Sequence, residues 1–118
     1  MDGPILHLAP ADRWEGWPPG EAYLPDAYEA DGFVHCTAGD ALMLTVANRF
    51  YRDTAGPIVA LSIDPARLTA PLRWEAATDA PDTLFPHLYG AIDAGAVVGV
   101  RAMLRDDTGA FVGYGPPQ

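Results

Sequence analysis

The side chains best suited to chemistry in this chain are its three histidines, His7, His35 and His87. Imidazole titrates near neutral pH, so it can transfer a proton or hold a charged ligand. A single histidine among apolar residues is commonly a satisfied core group. Two histidines on inward strand faces, both beside polar or turn residues, favour a shared pocket, so we expect His7 and His35 to face one cleft. His87 falls in an aromatic segment predicted as a loop.

A carboxylate and two arginines are the next candidates. Glu75 lies in a predicted strand beside Trp74. A carboxylate at such a position is commonly solvated and has no further role. The functional interpretation is a general base, or a group that binds ribose hydroxyls. Arg73 and Arg101 are candidate partners for an anion, although surface positions are more usual for arginine.

The residues that follow His35 have simpler interpretations. Cys36 points to the opposite strand face from His35, so the two are poorly placed to act as a nucleophile–base pair, and we expect a small buried residue. Thr37, with Asp40 three residues later, resembles a helix-capping pair. No His-x-x-x-His or Cys-x-x-Cys spacing occurs, so we expect no metal, with a zinc site assembled from distant segments as the alternative.

Composition restricts the class of protein. A chain of 118 residues with 49% hydrophobic residues predicts a single domain over 1–118, with flexible ends at 1–3 and 115–118. The net charge of −9 and the absence of lysine argue against a nucleic-acid-binding surface. They are compatible with a small anionic ligand held by arginines. One cysteine, no apolar run of membrane length and no signal peptide predict a cytoplasmic protein without membrane contact.

The central segment, residues 31–44, predicts a strand, a tight turn and the start of the longest helix. Phe33, His35 and Thr37 are expected on one strand face, and Val34 and Cys36 on the other. The helix is expected to end near Gly56. A histidine beside a helix N-terminus is a suitable place for a charged ligand.

The remaining pattern predicts an α+β fold with mixed, largely antiparallel β-sheets, one main helix and short helices. Residues 58–63 are almost wholly apolar, which is typical of a strand covered on both faces. The other predicted elements are strands at 4–8, 72–76, 96–104 and 111–114, short helices at 10–16 and 25–30, and a proline-rich loop at 79–86.

Four blocks of this sequence, in this order, resemble a small bacterial family, family 952 of the domains of unknown function (DUF952). They are Ile5-Leu-His-Leu8, Asp31-Gly-Phe-Val-His-Cys-Thr37, the helix from Asp40, and Phe85-Pro-His-Leu-Tyr-Gly90. The resemblance covers nearly the whole chain. It implies an ADP-ribosyltransferase-like fold, in which two sheets meet around a nicotinamide cleft.

A weaker likeness concerns NAD-dependent RNA 2′-phosphotransferases and poly-ADP-ribose polymerases. His7 takes the place of their first-strand histidine, although Leu8-Ala9 follows it here instead of Gly-Thr, and His35-Cys36-Thr37 resembles their second motif. The likeness implies NAD as cofactor. The residues nominated to bind it are His7, His35, Thr37 and Tyr89, and the nominated catalytic residues are His35, Glu75 and His87.

Two hypotheses follow. The first is an NAD-dependent transferase or glycohydrolase of the ADP-ribosyl type, in which His7 bonds ribose hydroxyls, His35 orients the ligand and Glu75 is the acid/base. The second is a non-catalytic module that binds a small ligand or a protein partner through an aromatic rim of Trp17, Tyr23, Phe85 and Tyr89. The expected partner is a small-molecule ligand such as a nucleotide, with a protein partner as the alternative under the second hypothesis, and neither hypothesis expects a nucleic acid.

Overall fold

A computed structural model describes residues 3–77 and 80–118, which form an α+β fold with two antiparallel sheets. In chain order the elements are β1 (Ile5–Pro10), α1 (Ala11–Glu15), α2 (Tyr28–Asp31), β2 (Val34–His35), β3 (Thr37–Ala38), α3 (Asp40–Phe50), β4 (Ile58–Ile63), β5 (Leu72–Ala77), β6 (Ala80–Leu88), β7 (Val97–Arg105) and β8 (Phe111–Pro117). The larger sheet has the strand order β3-β1-β4-β7-β8, and the smaller has the order β2-β6-β5. Within the described residues, no helix has the length and apolar character needed to cross a membrane.

The middle of the larger sheet is the centre of the core. β4 pairs along its whole length with β1 and is buried at every position except Ser62. This confirms the prediction of a strand covered on both faces. Leu6 and Leu8 pack with Met43 and Ala47 of α3 on one side, and Ile5 joins the second buried cluster on the other. β1 is therefore also interior, which decides the environment of His7.

The segment around Cys36 differs from the single strand that we expected. β2 belongs to the smaller sheet and β3 to the larger, so the chain changes sheets at Cys36. Val34 is buried and His35 is exposed, but Cys36 and Thr37 are both buried. The expected alternation of Phe33, His35 and Thr37 on one face thus fails, because side chains alternate only while a strand stays in one sheet.

The proline-rich loop predicted at 79–86 is wrong for residues 80–86, which belong to β6, the central strand of the smaller sheet; Asp79 lies outside the described residues. Pro86 is fully buried there. Its carbonyl accepts a hydrogen bond from the backbone N–H of Cys36 at 3.1 Å. In a β-strand the N–H and C=O of one residue point to the same side. Because the Pro86 carbonyl points towards β2, the position where Pro86 lacks an N–H is also on the β2 side, where that strand ends. The ladder with β5 loses no hydrogen bond at that position.

The main helix begins and ends differently from the prediction. Thr37 lies in β3, and α3 starts after Gly39, whose φ of +96° suits glycine, with no side-chain cap. The carboxylate of Asp40 instead pairs with both terminal nitrogens of Arg101, at 3.0 and 2.8 Å. Arg101 is thereby occupied and is not an anion partner at the candidate site. The helix ends at Phe50, several residues before Gly56.

The C-terminal residues are part of the larger sheet. β8 continues to Pro117, and the backbone N–H of Gln118 donates to the carbonyl of Val100 at 2.9 Å. The tail expected from Gly115 is therefore a strand. The short helix expected at 25–30 is α2, and it ends at Gly32 in the left-handed conformation.

Asn48 joins α3 to β8 through two hydrogen bonds with the backbone of Phe111. Its amide nitrogen donates to the Phe111 carbonyl at 3.0 Å, and its oxygen accepts from the Phe111 N–H at 2.7 Å. Phe111 is buried, so Asn48→Ala leaves both backbone groups unpaired. We expect the free energy of unfolding in urea to fall by about 1–3 kcal/mol.

The control for this variant is Thr45→Ala on the exposed side of the same helix. Among the described residues, the Thr45 hydroxyl bonds just the carbonyl of Ala41 within α3, so its removal should change stability by about 0.5 kcal/mol or less. Equal stabilities of the two variants would contradict the role given to Asn48.

Candidate functional site

The smaller sheet has one core face and one open face. Strand pairing aligns Val34, Leu88 and Leu72 on the core face, together with Pro86 and Trp74. The same register aligns the residues of the open face, which are His35 of β2, His87 and Phe85 of β6, and Arg73 and Glu75 of β5. The period of two along each strand thus brings these polar and aromatic side chains together.

A cleft of about 900 Å³ lies between this open face and α3. Its size is within the range of small-molecule sites. The lining comes from four segments and consists of Asp31, Phe33, His35, Cys36, Thr37, Leu42, Thr45, Val46, Arg49, Phe50, Tyr51, Glu75, Ala76, Ala77, Thr83, Phe85, His87 and Tyr89. We call this space the histidine cleft.

Glu75 is the centre of a hydrogen-bond network in the wall of the histidine cleft. The hydroxyl of Tyr89 donates to its Oε1 at 2.5 Å, and Nδ1 of His87 lies 2.9 Å from the same oxygen. Hydrogen bonds from Tyr89 and then His87 lower the pKa of the Glu75 carboxyl, while the bond to Glu75 raises the pKa of Tyr89. Glu75 is therefore ionised at neutral pH. Because a carboxylate accepts, Nδ1 of His87 carries a proton, and Nε2 is left for a ligand.

His35 and His87 meet in the cleft with Phe33 between them. The His87 ring stacks on Phe33 at a centroid distance of 4.0 Å, His35 lies 4.5 Å from Phe33, and the two imidazoles are 5.6 Å apart. Nε2 of His35 is 3.1 Å from the carboxylate of Asp31. The structure thus gathers all three nominated catalytic residues, His35, Glu75 and His87, on one wall.

His7 does not share this cleft, and the expectation that it faces a common hollow with His35 is corrected. Its side chain is only 4% exposed, and it does not line the cleft. The reason is that β1 is an interior strand of the larger sheet. Nδ1 of His7 donates to the backbone carbonyl of His35 at 2.7 Å. Burial lowers the pKa of His7 to about 4, so the ring is neutral at neutral pH.

Cys36 and Thr37 form part of the cleft floor and are both buried. Burial raises the pKa of the Cys36 thiol to about 12, which removes the thiolate needed for nucleophilic chemistry. This agrees with the expected role of a small buried residue. Thr37 is not a helix cap, but it touches the cleft that it was nominated to line.

The aromatic rim expected from the sequence divides into two places. Phe85 and Tyr89 line the histidine cleft, whereas Tyr23 is buried in the core and Trp17 lines a separate pocket of about 500 Å³. The guanidinium of Arg73 lies over the Tyr89 ring, 5.5 Å from its centroid.

Asp31, Phe33 and Arg49 are among the cleft residues that were not nominated from the sequence. Asp31 and Phe33 precede His35 by four and two residues, and this even spacing was the available signal. Arg49 comes from α3, and nothing local in the sequence indicates that this helix lies against the smaller sheet. Among the described residues, no group of three His, Cys, Asp or Glu side chains is arranged to hold a metal ion.

Burial of His7 predicts a specific loss of stability in acid. The unfolded chain binds a proton at His7 below the ordinary histidine pKa of 6.5, but the folded chain, with its lowered pKa, does so only near 4. As the pH falls from 6.5 to about 4, protonation of His7 in the unfolded chain lowers the free energy of unfolding by about 3 kcal/mol in total. Asn does not titrate, so the free energy of unfolding of wild type should fall more steeply over this pH range than that of His7→Asn. Urea unfolding at several pH values measures the difference. Parallel pH profiles for the two proteins would rule this out, and His35→Asn serves as an exposed control.

The network around Glu75 makes a second prediction. Tyr89→Phe removes the hydroxyl that contributes most to the lowered pKa of Glu75, so this pKa should rise towards its ordinary value. The measurement is a ¹³C NMR titration of the Glu75 carboxyl. Tyr114→Phe is the matched control, because Tyr114 bonds the Asp40 carbonyl instead. An unchanged Glu75 titration in Tyr89→Phe would contradict the network.

Comparisons with known proteins place this chain in a family. The crystal structure of protein CC0527 from Caulobacter crescentus is similar, with a TM-score of 0.76 and 25% sequence identity over 98% of this chain and 93% of that chain. A double methionine mutant of the same protein gives a TM-score of 0.76 and 24% identity over the same shares. No curated protein matches. Residues 8–100 match the family described as "Protein of unknown function (DUF952)", and because this region is most of the sequence, the chain belongs to the DUF952 family.

Proposed function

We propose that the histidine cleft binds NAD and that the protein is an NAD-dependent transferase or glycohydrolase of the ADP-ribosyl type. The observation that carries the proposal is the ionised carboxylate of Glu75, which Tyr89 and His87 hold in the wall of an aromatic-lined cleft. A cytoplasmic location and a small-molecule ligand belong to the same proposal.

The charge of Glu75 suits the cleavage of the nicotinamide–ribose bond. The carbon–nitrogen bond breaks, nicotinamide leaves as a neutral molecule with the bonding electrons, and positive charge develops on the ribose. A carboxylate that is already oriented stabilises this charge without reorganising. Two donors on one oxygen keep Glu75 in place, and its ionised state needs no partner from the ligand. The acceptor, water or a hydroxyl, loses its proton to a base; His35 and Glu75 are the candidates.

The cleft also offers groups for the rest of the cofactor. Phe85 lines the cleft beside Glu75 and is the candidate to pack against a nicotinamide ring, since Phe33 already stacks on His87. Arg49 lines the cleft from α3, and the Arg73 guanidinium lies 5.5 Å from the ring centroid of Tyr89, which also lines it, so these two cations are the candidates to pair with the pyrophosphate. A net charge of −9 over the whole chain makes this placement of arginines notable for an anionic ligand.

The architecture supports an ADP-ribosyltransferase-like fold, which forms part of the proposal. Two antiparallel sheets lie next to each other, and the cleft borders the smaller one. The role of His7 differs from the one expected from sequence. Since His7 is buried, contacts with ribose hydroxyls pass to His35, Tyr89 and Glu75.

Nicotinamide release is the direct test. Incubation with NAD, followed by chromatography, should show nicotinamide from wild type, and Glu75→Gln should lower the rate by roughly 10²–10³-fold. Glu21→Gln, in the separate pocket lined by Trp17, should have the wild-type rate. No nicotinamide from wild type, together with no heat of NAD binding by calorimetry, would remove the proposal.

A non-catalytic ligand-binding module is the second candidate, and one observation favours it. Each cleft histidine already has a carboxylate partner, Asp31 for His35 and Glu75 for His87, so both rings are held in place without a ligand. This candidate expects NAD to bind to wild type without turnover and His35→Ala to bind with an unchanged dissociation constant. Turnover by wild type would exclude it.

A further inference from the structure

The backbone carbonyl of His35 faces away from the smaller sheet. The N–H of Cys36 bonds the carbonyl of Pro86 directly opposite, so the preceding pair, His35 and His87, is a non-hydrogen-bonded pair. In such a pair the backbone groups point away from the partner strand, and the side chains approach most closely. β2 is an edge strand, which leaves the His35 carbonyl without a neighbouring strand to bond.

The larger sheet supplies the partner for this carbonyl. Nδ1 of His7, on β1, reaches the His35 carbonyl oxygen at 2.7 Å. His7 is 28 positions away in the chain and lies in the core, so its ring is a fixed support. The bond is formed immediately before Cys36, where the chain changes sheets.

The hydrogen-bond partner determines the tautomer of His7. A carbonyl can only accept, so Nδ1 carries the proton and Nε2 carries the lone pair. Nε2 is buried and has no partner among the described residues, and the hydroxyl of the neighbouring Tyr23 is likewise buried without one. A second proton on this ring would be an unpaired buried charge, which is strongly unfavourable. The neutral Nδ1–H form is therefore the one that holds His35.

We propose that His7 is a positioning residue for the histidine cleft: its neutral ring fixes the His35 backbone at the change of sheet and, together with the Asp31 carboxylate on the ring, sets the direction of the His35 imidazole beside Phe33 and His87. The inference concerns the geometry of His35. It rests on the proposed function only where NAD affinity is used as a readout.

Two variants separate positioning from general stability. His7→Leu removes the donor but keeps an apolar side chain of similar size, whereas His7→Asn places an amide N–H near the position of Nδ1. NMR of the His35 ring protons measures the ring-current shift from Phe33, which lies 4.5 Å away. His87, stacked on the same phenyl ring and bonded to Glu75, is the internal reference.

We expect folded His7→Leu to lose the Phe33-dependent shift of His35 while His87 keeps its shift, and His7→Asn to restore it. In the same samples, the dissociation constant for NAD should rise about tenfold in His7→Leu and recover in His7→Asn, a change that corresponds to about 1.4 kcal/mol. If wild type does not bind NAD, the proposed function fails, but the NMR comparison still decides the role of His7.

A measurement on wild type covers the case in which His7→Leu does not fold. Long-range ¹H–¹⁵N spectra distinguish the two neutral tautomers of His7. A proton on Nδ1 is the expected result. A proton on Nε2, an unchanged His35 shift in folded His7→Leu, or failure of His7→Asn to restore that shift would overturn the inference.

Discussion

The arrangement of this protein depends on one backbone constraint, the change of sheet at Cys36. β2 and β3 are separated by this single residue, and they pair with strands of different sheets. Three contacts secure the crossing: the Cys36 N–H to the Pro86 carbonyl, the His7 ring to the His35 carbonyl, and the burial of Cys36 itself. Because the crossing comes directly after His35, it holds the smaller sheet against the larger one and leaves His35 at the boundary of the cleft.

Position and hydrogen-bond partner divide the histidines into two classes. His7 lies in the core, where burial disfavours a charge, and its ring acts as a fixed donor. His35 and His87 lie beside carboxylates on the open face of the smaller sheet, where both line the cleft. Histidines thus have two roles in the same small domain, support in the core and lining of the cleft, and the division follows from which sheet carries each one.

Much of the site was accessible from residue type and spacing. His35, Glu75, His87 and Tyr89 were all nominated, and the structure brings all four to one cleft. Two of the corrected assignments, those of His7 and β6, have identifiable reasons that concern the site. His7 was expected to face the cleft because it lies on one face of a predicted strand. Strand alternation does not reveal that β1 is covered on both faces. β6 was expected to be a loop because its prolines disfavour a central strand. Pro86 is tolerated because β2 ends opposite it, so the N–H that proline lacks would have no strand partner there.

The sequence by itself determined the local preferences: an apolar β4, an amphipathic α3, a glycine before that helix, and an acidic chain with histidines beside polar residues. These follow from side-chain periodicity and backbone sterics, which act over a few residues. Only the tertiary structure decided which strands share a sheet, which of the histidines reach solvent, and that Arg49 of α3 faces the smaller sheet. Those outcomes depend on pairing between strands far apart in the chain, and no local sequence pattern indicates which strands pair or in which register.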